Sequence, residues 1–338
     1  MLDVTLAGWA ATIGLIAVLF VIDLFVSRPG HAHAVGLREA TIASIFYVSV
    51  ALAFGFVVGM VAGWDFGAEY FAGYIVEKSL SVDNLFVFVV IMSTFAVPPE
   101  HQQRVLTFGI LTALVMRAIF IALGAALISA FSFMFLIFGL LLVFTAIQLF
   151  RHRDEDPEVD ENVVVRLTRR LIPVTPEHHD GRMFIHLNGR RAATPLFIAL
   201  IAIGSSDLLF ALDSIPAVFG VTDEAFIVFA ANAFALLGLR ALYFLVTGLL
   251  DRLVYLSTGL SLILAFIGVK LLLHWAHLQN DGVPEVATST SLIVIFVVLA
   301  LTVVASLLKS RRTPEARAHA GTLREPREVR EARRRRDS

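Results

Sequence analysis

The chain has 338 residues, of which 58% are hydrophobic and 16% charged, and its mean hydropathy is +0.81. A soluble domain is about 45–50% apolar and about 25% charged, so this composition excludes an ordinary water-soluble protein and indicates several membrane-spanning helices. The 27 basic and 28 acidic residues nearly cancel, and the lack of cysteine excludes disulfides, thiolate metal sites, CxxC redox chemistry and iron–sulfur clusters carried by this chain alone.

Hydropathy and helix-breaking residues predict an all-α, polytopic transmembrane helix bundle with about nine spans. The first predicted span exceeds the length of a signal-peptide core and has no Lys or Arg before it, so we interpret it as a permanent span. The predicted spans are 5–26, 40–62, 70–97, 105–125, 131–150, 194–220, 225–249, 253–275 and 289–308.

The spans fall into two halves joined by a charged segment. We expect a first membrane half at 1–150, a cytoplasmic linker at 151–192, a second membrane half at 193–308 and a basic, disordered cytoplasmic tail at 309–338. The tail can bind anionic lipid at about 1 kcal/mol per basic residue. No nucleic-acid partner is expected, because the tail has no aromatic residue to stack on a base. Three of the linker histidines, His178, His179 and His186, are better explained as solvated loop residues than as a metal sensor.

Basic residues lie on one side of the predicted bundle. Of 27 Lys and Arg residues only four fall within the spans, and none falls in the segments that alternate counting places on the other side. The positive-inside rule therefore predicts an N-terminus outside and a C-terminus in the cytoplasm. The outer segments are acidic, which either concentrates cations near the protein or only reflects the lack of positive charge there. Their acids are Asp3, Asp65, Glu69, Asp223, Glu224, Asp281 and Glu285.

Two motifs place pairs of carboxylates, six residues apart, at membrane depth. One motif lies in the third predicted span and the other in the sixth. Ionisable residues inside a membrane are costly and are functional-site candidates by default. Carboxylate, amide and hydroxyl oxygens suit the hard cations Mg²⁺, Ca²⁺ and Mn²⁺, so we predict that both motifs bind one divalent cation. The predicted metal ligands are Glu77, Asp83, Asn84, Asp207, Asp213 and Ser214.

The two halves resemble each other in the order of their motifs. In each half the acidic span is followed by a span with an arginine, Arg117 or Arg240, and then by a third similar stretch, 144–149 or 266–271. Because the third span runs inward and the sixth outward, this order predicts an inverted three-plus-three helix repeat with its site near the midplane. Two acids six residues apart on a straight helix point about 120° apart around its axis, so we expect both helices to be broken at the acidic motifs.

Other polar residues within the spans are candidates for charge pairing or for lining an ion path. An unpaired guanidinium at membrane depth is costly, so Arg117 and Arg240 should each pair with an acid. Lys78 and Lys270 lie nearer the outer ends and can either reach the interface or serve the site. Asn232 either lines the path or bonds to a neighbouring helix. In the alternative to a cation site, the acids and arginines only tie helices together as buried ion pairs, which leaves two acids in excess.

Three motifs resemble the TerC/Alx family of membrane proteins. Residues 77–88 read EKSLSVDNLFVF, residues 207–217 read DLLFALDSIPA and residues 232–244 read NAFALLGLRALYF. The resemblance extends over residues 5–308 and implies a bacterial inner-membrane protein of the LysE-like transporter superfamily. The family is linked to manganese export, metal homeostasis and tellurium resistance. Two features depart from its pattern: Gln148, where Lys270 suggests a lysine by analogy, and the long tail. The metal-site positions implied by the resemblance are Glu77, Asp83, Asn84, Asp207 and Asp213.

These observations predict a secondary transporter that exports Mn²⁺, with the metal ion as its substrate, no covalent cofactor and no enzymatic activity. Oxygen ligands alone do not separate Mn²⁺ from Mg²⁺. The alternatives are a membrane metal sensor or scaffold that signals through the linker, a tellurite-resistance component without transport, and a membrane enzyme that handles oxyanions through its two arginines.

Overall fold

A computed structural model of the chain describes residues 4–26, 36–151, 182–187, 190–246, 254–280 and 282–312, together with 165, 167–168, 170 and 174–175. The elements described in full are α1 (Leu6–Val26), α2 (Leu37–Ala62), α3 (Trp64–Thr94), α4 (Pro99–Ala130), α5 (Met134–Arg151), β1 (Phe184–Leu187), β2 (Arg190–Ala193), α6 (Pro195–Phe219), α7 (Ala225–Leu237), α8 (Leu239–Val246), α9 (Leu256–Gln279) and α10 (Thr288–Arg312). The predicted all-α membrane bundle is therefore confirmed.

Seven of the described helices are long and apolar enough to cross a membrane, and α7 and α8 make an eighth if the bent pair is one span. The predicted span that is missing from this count is the third, which corresponds to α3, a helix of 31 residues that extends about 46 Å. That length exceeds the hydrocarbon thickness of about 30 Å, but α3 carries five charged residues and is therefore less apolar than the seven helices counted above. The count of nine spans therefore stays a prediction.

A small antiparallel hairpin interrupts the predicted linker just before α6. Strand β1 pairs with β2, with Phe184 opposite Ala193. Thr194 closes the hairpin, because its hydroxyl donates to the carbonyl of Arg182 at 2.7 Å. The residues at 152–164 and 176–181, with His178 and His179, and the tail at 313–338 lie outside the described part of the chain. Helix α10 continues to Arg312, four residues beyond the end of the last predicted span at 308, and the division into domains stays a prediction.

Helix α3 lies at the centre of the bundle. It packs against α2, α6, α7 and α10, while α4 packs against α6 and α7, and α5 packs along α9. Residues that come later in α3 contact residues that come earlier in the chain at the end of α6. Thr222, just after α6, donates to Glu69 at 2.5 Å, and a Cβ on Gly73 would meet Val218 at 3.1 Å. The two helices are thus antiparallel, as an inverted repeat requires, although the repeat as a whole stays a prediction.

The two acidic motifs lie on uninterrupted helices, so the expected breaks at these motifs are wrong. Helix α3 continues through both acids, and Ser79 between them donates to the carbonyl of Ile75 at 2.6 Å, a bond to the preceding turn that a serine can make within a helix. In α6 the proline that removes a backbone hydrogen bond, Pro216, lies in the last turn and beyond both acids. The described break is instead at Gly238, where α7 and α8 are bent by 41°.

Candidate functional site

Arg117 is the centre of a buried polar cluster formed by four helices. It lies midway along α4, is 1% exposed and carries five N–H donors. Its Nε and Nη2 bind the two carboxylate oxygens of Asp207 on α6 at 3.1 and 3.0 Å. Its Nη1 donates to Glu77 on α3 and lies 3.3 Å from the hydroxyl of Ser214 and 3.5 Å from Oδ1 of Asn232 on α7. We call Arg117 and these four oxygen-bearing residues the central cluster.

The central cluster is buried, and it contains two carboxylates but one cationic group. Glu77 is 0% exposed, and the other three oxygen-bearing residues are each 1% exposed. The ion pairs join both carboxylates to one guanidinium. A pair of ionised carboxylates and one guanidinium sum to one negative charge, and a guanidinium cannot lose its proton in a protein. The cluster therefore keeps cation-binding capacity that Arg117 does not fully use.

Several polar atoms next to the central cluster have no hydrogen-bond partner among the described residues. On α3 they belong to Glu77 (Oε2), Ser81 (Oγ) and Asn84 (Nδ2), and on α7 to Asn232 (Nδ2). Glu77, Ser81 and Asn84 are spaced at i, i+4 and i+7, so they lie along one face of α3. Buried polar atoms without partners are rare. The carboxylate and hydroxyl oxygens among them can bind a cation, whereas the two amide nitrogens are hydrogen-bond donors and require an acceptor. This stripe leads from Glu77 toward the C-terminal end of α3.

Asp83 and Asp213 do not join the central cluster in this conformation. Both are half-buried, and Asp213 accepts a hydrogen bond from Thr145 of α5 at 2.9 Å. Since α3 and α6 are continuous, each aspartate points about 120° away from the acid that precedes it by six residues. Nowhere in the described part of the chain do three or more His, Asp or Glu residues lie close enough to hold a metal ion. The single site built from all four acids therefore stays a prediction.

Arg240 belongs to a different cluster, and its partner is an acid that our sequence analysis did not select. Its Nη2 binds Asp23 of α1 at 2.7 Å, and Tyr47 of α2 donates to the same oxygen at 2.8 Å. The prediction that each arginine pairs with an acid is thus confirmed, but the count of four acids in the spans omitted Asp23. The sequence does indicate this residue, because Asp23 is an acid inside the first predicted span.

Lys78 and Lys270 lie in different parts of the bundle and have different neighbours. Lys78 donates to the carbonyl of Ala235 at 3.1 Å, near the end of α7, where a cation complements the helix dipole. Lys270 lines a cavity of about 360 Å³ between α3, α6, α9 and α10. Three acids of the predicted outer segments also line this cavity: Glu69, Asp223 and Glu285. Burial raises the pKa of the Asp223 carboxyl, and the positive charges of His274 and Lys270 oppose that shift.

The fold and the site define an all-α, polytopic integral membrane protein with a buried cluster of charged groups and oxygen ligands. A sequence model described as "Integral membrane protein TerC family" matches residues 62–314. The chain therefore belongs to the TerC family, which confirms the resemblance carried by the three motifs.

Relatives with this similarity come from distant organisms. The chain is 47% identical over 327 residues to an uncharacterized membrane protein of Mycobacterium tuberculosis, covering 92% of this chain and 82% of that protein. It is 37% identical over 283 residues to a protein of Photorhabdus laumondii named as a candidate membrane-bound redox modulator, Alx, covering 81% and 88%. It is 42% identical over 251 residues to the thylakoid membrane protein TERC of Arabidopsis thaliana, covering 73% and 65%. No solved structure matches the chain.

Proposed function

We propose that the protein is a membrane transporter that moves a hard divalent cation, Mn²⁺ in the first place, out of a bacterial cell across its inner membrane. The observation that carries this proposal is the central cluster, in which two carboxylates, a hydroxyl and an amide oxygen from three helices converge on one cationic group at no more than 1% exposure. Such residues at membrane depth mark ion pathways. The ion is the cargo, and no covalent step is required.

The chemistry of the donors supports a hard cation. Glu77 and Asp207 lie close together because they share one guanidinium, and unit charges about 4 Å apart repel by about 4 kcal/mol at an effective dielectric constant of 20. The pair therefore needs a cation whenever both groups are ionised. Oxygen ligands favour Mg²⁺, Ca²⁺ and Mn²⁺ over softer ions, and the chain has no cysteine to bind zinc or copper.

The polar stripe of α3 supports a route to the central cluster. Ser81 and Asn84 are 0% and 4% exposed and continue from Glu77 along one helix face. By the positive-inside rule the C-terminal end of α3 faces the cytoplasm, so the stripe provides oxygen and amide groups on the side from which an exported ion would come. Asp83 and Asp213, each half-buried, are the additional carboxylates of the path.

Uptake of ⁵⁴Mn²⁺ into proteoliposomes tests the transport proposal. Asp207→Asn keeps the size of the side chain and removes one charge of the central pair, so we expect it to abolish flux. Glu100→Gln is the matched control, since Glu100 is exposed at the first turn of α4 and should leave flux unchanged. The measurement is repeated with and without a pH gradient, because exchange of a bound proton for the metal is a natural coupling. Equal flux in wild type and Asp207→Asn would contradict the proposal.

The same experiment distinguishes a transporter from a metal sensor, because a wild-type sensor would bind metal but would not move it across the membrane. The Photorhabdus relative is named for redox modulation, but this chain has no cysteine and so no thiol chemistry of its own. If that name describes an effect on the cell, a transporter could produce the effect by controlling the Mn²⁺ level, without transferring electrons itself.

A further inference from the structure

The guanidinium of Arg117 takes up the oxygen donors that a dication would use. It binds both oxygens of Asp207 and one of Glu77, and it lies within 3.5 Å of the Ser214 hydroxyl and the Asn232 amide oxygen. Three of these four residues are oxygen donors of the acidic motifs, and all four are hard ligands. A metal ion and the guanidinium therefore cannot occupy these oxygens at the same time.

Arg117 is suited to compete with a metal ion because its charge is permanent. A lysine or histidine could make room for a dication by losing a proton, but a guanidinium cannot. A dication beside it would meet both a steric obstacle and the repulsion of a fixed positive charge in a buried site. Binding thus requires the arginine side chain to leave the carboxylates, and its return would help the ion to leave.

The matching arginine of the second half gives the contrast. Arg240 lies in the equivalent motif, yet it pairs with Asp23 and Tyr47 and contacts none of the four oxygen-bearing residues of the central cluster in the described contacts. The charge of Arg240 is balanced by one carboxylate, whereas Arg117 is shared by two, and Glu77 Oε2 has no hydrogen-bond partner in the described part of the chain. If Arg117 served only to tie helices together, one carboxylate would be enough for it as well.

We propose that Arg117 is a tethered counter-cation that occupies the metal site when no ion is bound and is displaced by the transported dication. This inference rests on the proposed function and specifies its exchange step: two negative charges are balanced in turn by one guanidinium or by one dication. By competing for the same oxygens, the arginine keeps the site from binding the metal ion too tightly and makes its release possible.

Binding of Mn²⁺ to the full chain in lipid nanodiscs tests the proposal, with the electron paramagnetic resonance signal of free Mn²⁺ as the readout. We expect Arg117→Gln to lower the Kd by about tenfold or more, because the competing charge is gone. The same variant should lose flux, since the ion is no longer displaced. The double variant Asp23→Asn/Arg240→Gln is the control, because it removes both charges of the other buried pair, and it should bind Mn²⁺ as the wild type does.

A small-molecule competition separates charge from shape. In Arg117→Ala the cavity left by the side chain admits a free guanidinium ion, so millimolar guanidinium should raise the apparent Kd for Mn²⁺, while urea, a neutral molecule of similar shape, should not. Neither compound should affect the wild type at these concentrations. Equal effects of guanidinium and urea would overturn the proposal.

The outcomes also separate this proposal from the transport proposal. If Arg117→Gln binds Mn²⁺ no more tightly than the wild type while Asp207→Asn loses binding, the site is real but Arg117 is not a competitor. If Asp207→Asn binds as the wild type does, the proposed function itself fails.

Should the neutral variants not fold, Arg117→Lys takes their place, because lysine cannot make the paired contacts to Asp207. Tighter binding by this variant supports the competitor role, and unchanged or weaker binding overturns it.

Discussion

The buried pair of Arg240 and Asp23 shows how one side chain changes the charge balance of the bundle. Sequence motifs make Arg240 equivalent to Arg117, but the bend at Gly238 turns α8 toward α2, and the arginine meets Asp23 of α1 and Tyr47 of α2. This pair is neutral. The excess negative charge is therefore concentrated at Arg117 and at the two half-buried aspartates, which is the part of the molecule where we propose that the metal binds.

At this scale we predict that Asp23→Asn destabilises the protein by about 3–5 kcal/mol, because Arg240 becomes an uncompensated buried charge. Arg240 is 6% exposed, so water cannot solvate it in place of Asp23. Tyr47→Phe removes only one hydrogen bond to the same oxygen and should cost about 1 kcal/mol. Thermal unfolding of the purified proteins in one detergent measures both changes.

The double variant Asp23→Asn/Arg240→Met is the control for this ion pair. Because it removes both charges, it should recover most of the stability that Asp23→Asn loses. A double variant that is no more stable than the single one would show that Arg240 is not the reason for the loss.

At the scale of the element, the continuity of α3 and α6 explains what the sequence predicted and what it could not. Long apolar runs located the spans, since the hydrophobic thickness of a membrane fixes their length. The cost of a buried charge predicted that Arg117 pairs with acids. The state of the helix at Ser79 was not predictable, because a serine inside a helix can either disrupt it or bond back to the preceding turn, and here it bonds back. As a result Asp83 points away from Glu77.

Helices α5 and α9 show a second feature that the sequence alone did not reveal, their close approach at two glycines. A Cβ on Gly268 would lie 3.0 Å from the backbone nitrogen of Val143 and from the carbonyl oxygen of Gly139. Small residues allow such approach in membranes, where packing holds helices together. We expect Gly268→Ala to destabilise the protein by about 1–3 kcal/mol, because backbone atoms must move apart. The unfolding temperature in detergent measures the loss.

Gly14→Ala is the matched control for this glycine. A Cβ at Gly14 of α1 would meet nothing within 4 Å. The substitution should therefore be neutral or should stabilise the helix by up to about 1 kcal/mol, since alanine is the better helix former. Equal losses at both positions would contradict a specific contact between α5 and α9.

At the scale of the whole molecule, the relative directions of α3, α4 and α6 agree with the alternate crossing predicted from the order of the spans. Helix α3 is antiparallel to α6, and α4 is parallel to α6, because a Cβ on Gly109 would meet Ile203 and one on Gly124 would meet Phe219. Alternate crossing of the membrane requires both relations. The cavity lined by three acids, Lys270 and His274 lies at the end of the bundle that the positive-inside rule assigns to the outer side.

The orientation can be tested at the two ends of one helix, because the chain has no cysteine to remove first. Helix α4 has 32 residues and extends about 48 Å, so its ends must emerge on opposite sides if it crosses the bilayer. Ser132 and Glu100 are both exposed, one just after α4 and the other in its first turn. In intact cells a membrane-impermeant maleimide should label Ser132→Cys and not Glu100→Cys, and in inverted vesicles the preference should reverse.

The reverse pattern would place the acidic cavity in the cytoplasm, and the stripe of α3 would then lead inward from the outside, as in an importer. Labelling at both ends from one side would show that α4 does not cross the bilayer.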